Sequence, residues 1–148
     1  MTDSLSSRHW DEIDNLNEQA WQLCDSDIPR SRALAAEASA LAATPSADGS
    51  PYDLGLARSL CTLGYLDMRR GDHAQGLSQL LKSLELCEAH RLDAVLPHVL
   101  DGIAGIYFQI GDLPTALAYM HRQLAVAEQM GNAELVAIVK HLLDPGES

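Results

Sequence analysis

The sequence predicts an all-α fold: a stack of antiparallel helix hairpins in chain order, with about seven helices. The first observation is an internal repeat, because Gly71-Asp72 recurs in the next unit as Gly111-Asp112. The second is composition, since alanine and leucine dominate while aromatic residues make up only 5% of the chain. The repeat length, given by the 40 positions from Gly71 to Gly111, is typical of helical hairpins that are each too small to bury their apolar face alone.

The two copies of the repeat match across residues 60–131. Apolar and acidic residues coincide at the offset that relates Gly71 to Gly111: Leu60 with Leu100, Leu63 with Ile103, Leu77 with Leu117, Leu84 with Leu124, and Glu88 with Glu128. Small residues also coincide: Gly64 with Ala104, and Gly76 with Ala116. These small residues predict that the two helices of each hairpin approach closely. A bulky side chain at Ala116 is therefore expected to overpack the contact.

The first hairpin is expected over residues 8–43, within a single domain that spans residues 1–148. Ile13 and Ala20 recur at helical spacing in its first helix. Asp27 is suited to cap the second helix and Pro29 to occupy its first turn. The second helix is expected to approach its neighbour through small residues: Ala33, Ala36 and Ala40.

The second hairpin is expected over residues 52–90, after a Pro- and Ser-rich loop at residues 44–51. Gly71 ends its first helix and Asp72 caps its second. The residues predicted to face inward are Leu56, Leu60, Leu63 and Leu66 in the first helix, and Leu77, Leu80, Leu81, Leu84 and Cys87 in the second.

The third hairpin is expected over residues 93–131, followed by a terminal helix at about residues 133–143. Pro97 conflicts with a helix that begins at residue 93, because an interior proline clashes with the preceding turn. Either the regular helix starts at Pro97 or residues 93–96 form an offset first turn. The residues predicted to face inward are Leu117, Met120, Leu124 and Ala127, and in the terminal helix Leu135, Ile138, Val139 and Leu142.

Charge and cysteine content restrict the class of protein. Ten Lys and Arg residues against 21 Asp and Glu residues give a net charge of −11. Such an acidic surface repels phosphate groups, so neither nucleic acid nor an anionic membrane is expected as a partner. No apolar stretch approaches the roughly 18–20 residues that cross a bilayer. Cys24, Cys61 and Cys87 form no CxxC pair, which suits a reducing compartment and predicts a cytoplasmic protein.

The repeat resembles the tetratricopeptide repeat in its longer form of about 40 residues. The matching positions are Leu63-Gly64, Gly71-Asp72, Gly76, Leu80 and Ser83, and in the next unit Ile103-Ala104, Tyr107, Gly111-Asp112, Ala116 and Met120. Asp67 departs from the tyrosine that the family favours, and Gln123 departs from a small residue. The first unit fits only with one extra residue in its turn. The resemblance covers about residues 8–143 and implies a right-handed superhelical stack.

In this family the first helix of each hairpin lines a concave surface. The resemblance therefore implies a partner-binding groove formed by eleven residues: Asn17, Trp21, Arg58, Cys61, Tyr65, Met68, Arg69, His98, Asp101, Phe108 and Gln109. Aromatic residues, Met and Arg are the types that anchor interfaces, although Tyr65, Met68 and Phe108 would also suit a core. The Lys/Asn clamp that some family members use to hold a C-terminal carboxylate is not visible.

No residue pattern predicts catalysis, a metal or a cofactor. His98 and Asp101 lie one helical turn apart, but the sequence places no third ligand beside them. Gly102 and Gly105 fall within a helical pattern and indicate close packing, since they do not form a phosphate-binding loop.

The expected function is therefore a protein- or peptide-binding interaction module with no catalysis of its own. The alternative, by family analogy, is an N-terminal regulatory module for a signalling output such as a bacterial nucleotide cyclase of the diguanylate cyclase type, or a transcription factor. The terminal helix lacks a hairpin partner. Its apolar face either folds back as a cap or pairs with a second copy in a homodimer.

Overall fold

The computed structural model describes residues 2–45 and 51–144, with side chains from residue 9 onward. Within these residues the chain forms seven α-helices and no strand, which confirms the predicted fold class. The helices are α1 (Thr2–Leu23), α2 (Ile28–Ala43), α3 (Asp53–Arg69), α4 (His73–His90), α5 (Leu96–Gln109), α6 (Leu113–Gln129) and α7 (Ala133–Leu143). The first helix begins before the predicted start at residue 8. Residues 46–50 of the predicted loop lie outside the described residues.

Four helices begin with the same cap. The side chains of Asp27, Asp72, Asp112 and Asn132 each accept a hydrogen bond from the backbone N–H three residues later, at 3.1–3.3 Å. Each bond satisfies one of the N–H groups that the first turn of a helix leaves unpaired. The predicted capping roles of Asp27 and Asp72 are thus confirmed.

The turns between helices contain residues in the left-handed backbone region. Gly71, Gly111 and Gly131 have φ values of 82°, 88° and 68°, and Arg91 has a φ of 53°. In chain order, Gly71, Arg91, Gly111 and Gly131 are evenly spaced. Glycine adopts this conformation at no steric cost, which explains why it recurs at three of the four turns.

The position of Pro97 follows from the start of α5. Residues 93–95 form a turn, and the regular helix begins at Leu96, so Pro97 occupies its first turn. There the missing N–H of proline breaks no helical hydrogen bond. Both alternatives therefore hold to within one residue, because a turn at residues 93–95 precedes a helix that starts at Leu96.

The helices pack in chain order. Each helix contacts the next one along the chain, and α3 also contacts both α1 and α5. This pattern is consistent with a stack of helical repeats. The main core lies between the second and third hairpins around Leu80, Leu100, Ile103 and Ile106, which are all fully buried.

The small residues at the hairpin contacts have the predicted effect. A Cβ atom added to Gly64 would lie 2.5 Å from Leu80 Cγ, and one added to Gly76 would lie 3.1 Å from the carbonyl oxygen of Gly64. Ala116 occupies the corresponding place in the third hairpin and is 1% exposed. In the first hairpin the corresponding residue is Ser31, whose hydroxyl donates a 2.6 Å hydrogen bond to the Ala20 carbonyl.

Several predicted inward positions are exposed instead. Ala33, Ala36 and Ala40 lie away from the buried side of α2, which consists of Ser31, Ala35, Ala38 and Ala42. Alanines occur all around this helix, so their spacing did not single out one face. Four larger residues are also at least 40% exposed: Leu81, Leu117, Ile138 and Leu142. Leu56, Leu60 and Leu63 are half-buried.

A buried carboxylate links the first two hairpins. Asp67 in α3 is completely buried, and its Oδ1 lies 3.0 Å from Arg32 of α2 and 3.1 Å from Arg70. The side chain of Gln79 in α4 donates a 2.6 Å hydrogen bond to Oδ2. One side chain thereby connects α2, α3 and α4, which orients the first hairpin against the second.

None of the described helices is both long and apolar enough to cross a membrane.

Candidate functional site

Helix α3 contacts both α1 and α5, and α7 lines a cleft together with α5. The side of the stack formed by these four helices is termed here the odd-helix face. A first cleft of about 350 Å³ lies on this face, between α1, α3 and the beginning of α5. The cleft is lined by Asn17, Trp21, Leu54, Arg58, Cys61, Thr62, Ala94, Val95 and His98. Its volume is within the range of small-ligand and side-chain pockets.

Trp21 is the largest side chain in the first cleft and is held in place by two other rings. Its ring centroid lies 5.4 Å from that of Tyr65 and 5.4 Å from that of His98, both in edge-on arrangements. The side chain nevertheless remains 37% exposed. An orientated but accessible tryptophan is the kind of residue that anchors a partner.

Tyr65 connects α3 to α5 beneath Trp21. Its hydroxyl donates a hydrogen bond to the carboxylate of Asp101. Burial, together with the neighbouring Asp101 charge, raises the pKa of the Tyr65 phenol, so the phenol stays protonated and keeps donating. The bond fixes the ring against which Trp21 packs.

Asn17 carries an unsatisfied acceptor in the first cleft. The residue is 1% exposed, and its Nδ2 donates a 3.0 Å hydrogen bond to the carbonyl oxygen of Gly55. Its Oδ1 has no hydrogen-bond partner among the described residues. Leaving a buried acceptor unpaired costs about 1–3 kcal/mol. A structure tolerates such an atom most readily where something else supplies a donor.

The charges around the first cleft sum to a small negative value. Arg58 lies 4.0 Å from Asp14 and 3.5 Å from Glu18, so one guanidinium faces two carboxylates of α1. Arg58 is two-thirds buried and its position is set by these pairs. The cleft therefore does not offer a free cation.

A second cleft of about 400 Å³ lies next to the first, with Ala94 and His98 lining both. It lies between the beginning of α5, the end of α6 and α7. Apolar and polar residues alternate around it: Pro97, Met130, Leu135, Ile138, Val139 and Leu142 are apolar, while Asp101, Gln123, Asn132 and Glu134 are polar. The two clefts are therefore neighbours on the odd-helix face.

The structure brings six of the eleven predicted groove residues into the clefts. Asn17, Trp21, Arg58 and Cys61 line the first, Asp101 lines the second, and His98 lines both. Asn17 and Cys61 are buried at the base rather than displayed on the surface. Tyr65 supports the clefts from behind through Trp21 and Asp101.

The remaining four residues lie elsewhere. Arg69 donates a 3.1 Å hydrogen bond to the Cys24 carbonyl and pairs with Asp25, which ties it to the first turn. Met68 packs against the main core, and Gln109 contacts His73 at 2.9 Å. Phe108 is 64% exposed and lines neither cleft.

Sequence reasoning missed most of the residues that line the two clefts. Leu54, Thr62, Ala94 and Val95 were not identified, and neither was the contribution of α7. Leu54 and Thr62 could have been predicted from the helical register of α3, because each lies one helical turn from Arg58. Ala94 and Val95 belong to the turn before α5, which has no periodicity from which to predict a facing direction.

Metal-ligating side chains are scattered among the described residues, and two of the three cysteine thiols are buried. No group of three or more His, Cys, Asp or Glu residues in this part of the chain is close enough to hold a metal ion. Burial raises the pKa of the Cys61 thiol, and burial also raises that of Cys87 to about 11. Both thiols are therefore protonated at neutral pH, and a thiol is a poor nucleophile.

Fold and site together define an all-helical stack of hairpins with two adjacent clefts on one face. Comparisons with protein-family models, with curated proteins and with solved structures gave no match.

Proposed function

We propose that this protein is a non-catalytic interaction module of the tetratricopeptide-repeat type, which binds a peptide or a protein segment along the odd-helix face. The observation that carries the proposal is that the two clefts are adjacent, with Ala94 and His98 lining both. A depression that crosses several helices suits an elongated ligand better than a compact one.

Equivalent contacts in successive hairpins support the repeat assignment. The Ser83 hydroxyl donates a 2.7 Å hydrogen bond to the Ala57 carbonyl, and the Gln123 amide donates a 3.3 Å bond to the Pro97 carbonyl. The step along the chain from Ser83 to Gln123 equals the step from Ala57 to Pro97, and both equal the offset of the sequence repeat. A shared bond at a shared offset is what a structural repeat produces.

The cysteines support a cytoplasmic location as part of the proposal. Cys24, Cys61 and Cys87 are all free thiols, and two of them are buried in the core. Free thiols are typical of compartments that remain reducing.

Selection from a random peptide library, followed by anisotropy measurements with single peptides, tests the proposal. Trp21→Ala removes an accessible cleft residue, and His98→Ala removes one shared by both clefts. Phe108→Ala is the matched control, because it removes an exposed aromatic residue that lines neither cleft. We expect Trp21→Ala and His98→Ala to weaken the selected peptides about tenfold or more, as truncation of a central anchor does.

Thermal unfolding of each variant shows whether the fold is retained. Peptides that bind all four proteins equally would reject the odd-helix face as the binding surface. So would a library that yields no peptide at all.

A further inference from the structure

The second cleft exists because α7 stands away from α5. The earlier odd-numbered helices are adjacent, since α1 contacts α3 and α3 contacts α5. Between the described residues of α5 and α7 no such contact is made, and α7 packs on α6 alone. The space left between α5 and α7 is the cleft of about 400 Å³.

The α7 side of this cleft is apolar and accessible. Ile138 is 50% exposed and Leu142 is 56% exposed, and both line the cleft with the half-buried Leu135. Met130 extends the apolar surface at the turn before α7 and is 43% exposed. Apolar side chains collected in a depression favour apolar side chains of a partner.

The rim of the same cleft carries uncompensated negative charge. Asp101 and Glu134 are exposed, and neither lies within ion-pair distance of a cation in the described part of the chain. The Tyr65 phenol donates to Asp101 but is neutral, so it leaves the charge in place. In the adjoining cleft the cation Arg58 is outnumbered by Asp14 and Glu18.

Three of the residues that line the clefts also present hydrogen-bond acceptors. The Oδ1 of Asn17 is buried and unpaired in the first cleft, and the carboxylates of Asp101 and Glu134 line the second. All three groups accept hydrogen bonds and none of these atoms donates one. Lys and Arg side chains present hydrogen-bond donors and carry a positive charge, which is opposite to that of the two carboxylates. An ion pair at a partly buried rim contributes more to specificity than to affinity.

Building on the proposed function, we infer that the clefts hold a positively charged amphipathic segment of a partner protein. Its apolar side chains contact Ile138 and Leu142, and its Lys or Arg side chains pair with Asp101 and Glu134. A second copy of this chain fits the same face less well. Each copy has a net charge of −11, so the two acidic rims would repel each other.

The test compares two model peptides of equal length on the full chain: an amphipathic leucine–lysine peptide and its leucine–glutamate counterpart. The variant Asp101→Asn/Glu134→Gln removes both rim charges. The matched control Glu37→Gln/Glu85→Gln removes two exposed carboxylates on α2 and α4, which line neither cleft, and changes the net charge by the same amount. Ile138→Ser tests the contribution of the apolar α7 side of the second cleft.

We expect only the leucine–lysine peptide to bind. The library peptides that bind the odd-helix face should compete with it. Asp101→Asn/Glu134→Gln should weaken this binding about tenfold, Ile138→Ser should also weaken it, and the control pair should change it less than about twofold. Equal weakening by both double variants would overturn the inference, because it would indicate attraction to the overall charge.

Other outcomes separate this inference from the proposed function. If selected peptides bind at Trp21 and His98 but carry acidic residues, the inference fails while the proposed function stands. If neither model peptide binds and selection also fails, both are rejected. If sedimentation shows a dimer that Ile138→Ser dissociates, the occupant is a second copy and the inference is overturned.

Discussion

The guanidinium of Arg32 in α2 lies 3.0 Å from the carboxylate of Asp67 in α3, and that carboxylate is completely buried. This pair crosses the boundary between the first and second hairpins. Arg70 and Gln79 complete the surroundings of the carboxylate, Gln79 from α4 and Arg70 from the turn before it. The orientation of the first hairpin, and hence of Trp21 on the odd-helix face, depends on this junction.

Removal of the buried carboxylate should destabilise the protein. In Asp67→Ala the Gln79 amide loses its acceptor and Arg32 loses its carboxylate partner, while Arg70 keeps Asp72 at 3.4 Å. We expect a loss of about 1–3 kcal/mol. The figure stays moderate because Arg32 and Arg70 are 30% and 56% exposed and can regain water. Urea unfolding measures the loss, with Glu85→Gln, an exposed acid, as the control. Equal midpoints for the two variants would contradict the assigned role.

A bulky residue at the close helix contact should also destabilise the fold. Ala116 is 1% exposed where α6 approaches α5, so Ala116→Leu is expected to cost about 1–3 kcal/mol through overpacking. Ala118→Leu introduces the same side chain at an exposed position of the same helix. Thermal unfolding should show a lower Tm for Ala116→Leu alone, and an unchanged Tm would show that the contact is looser than described.

Arg91 offers a stabilising substitution. It adopts a left-handed conformation, with φ 53° and ψ 53°, at a turn where the chain elsewhere places glycine. Arg91→Gly removes the clash of the Cβ atom and should stabilise the protein by up to about 1 kcal/mol, part of the gain being lost to the flexibility of unfolded glycine. Arg91→Ala keeps the Cβ atom and removes the charge. Its denaturation midpoint should therefore not rise; if it rises as much as that of Arg91→Gly, charge explains the effect.

Tyr52 should make stability fall at high pH. Burial, and secondly its hydrogen bond to Asp14, raises the pKa of the phenol to about 12, against an ordinary value of about 10. Between these values the unfolded chain releases the proton while the folded chain retains it, so the free energy of unfolding decreases as pH rises. Below about pH 10 both states are protonated and the contribution of Tyr52 is constant.

Denaturant unfolding across this pH range checks the effect. In Tyr52→Phe the decrease between about pH 10 and 12 should become shallower. The remainder is attributable to Tyr65 and to the cysteine thiols, whose pKa values are also raised. Identical pH profiles for the two proteins would exclude Tyr52 as the titrating group.

The cysteines should differ in reactivity. Cys24 is partly exposed, whereas Cys61 and Cys87 are at most 3% exposed. Burial raises the pKa of all three thiols, so access decides the order of modification. Mass spectrometry after maleimide treatment should find label on Cys24 first, with the other two protected until denaturant is added. Early labelling of Cys61 would show that the base of the first cleft opens in solution.

Helix boundaries were predictable from the sequence wherever a turn had strong local signals. Gly71-Asp72 and Gly111-Asp112 combine a left-handed residue with a capping side chain, and α7 begins and ends where residues 133–143 predicted. The buried side of α2 was not predictable, because alanines occur all around the helix. Which of them are buried depends on where the neighbouring helices α1 and α3 pack. From the sequence, Asp67 was only a departure from the repeat pattern. Its role as a junction was not predictable, because its partners lie on α2, on α4 and in the turn between α3 and α4.

The candidate site was predictable where it follows the register of α1, α3 and α5. Trp21, Arg58 and His98 were identified on that basis, and they line the first cleft. The second cleft was not predicted, because it depends on the distance between α5 and α7. That distance is set by how α7 packs on α6, and neither helix encodes it in its own apolar spacing.

The even spacing of the left-handed residues has a consequence for how such a chain can change in length. One residue deleted within a helix would rotate everything after it by about 100° and turn the buried stripe toward water. A whole repeat removed or duplicated between equivalent turns leaves the facing of every later helix as it was. The length of the binding surface can therefore change only by whole hairpins. Substitutions within one hairpin do not alter the geometry of the next.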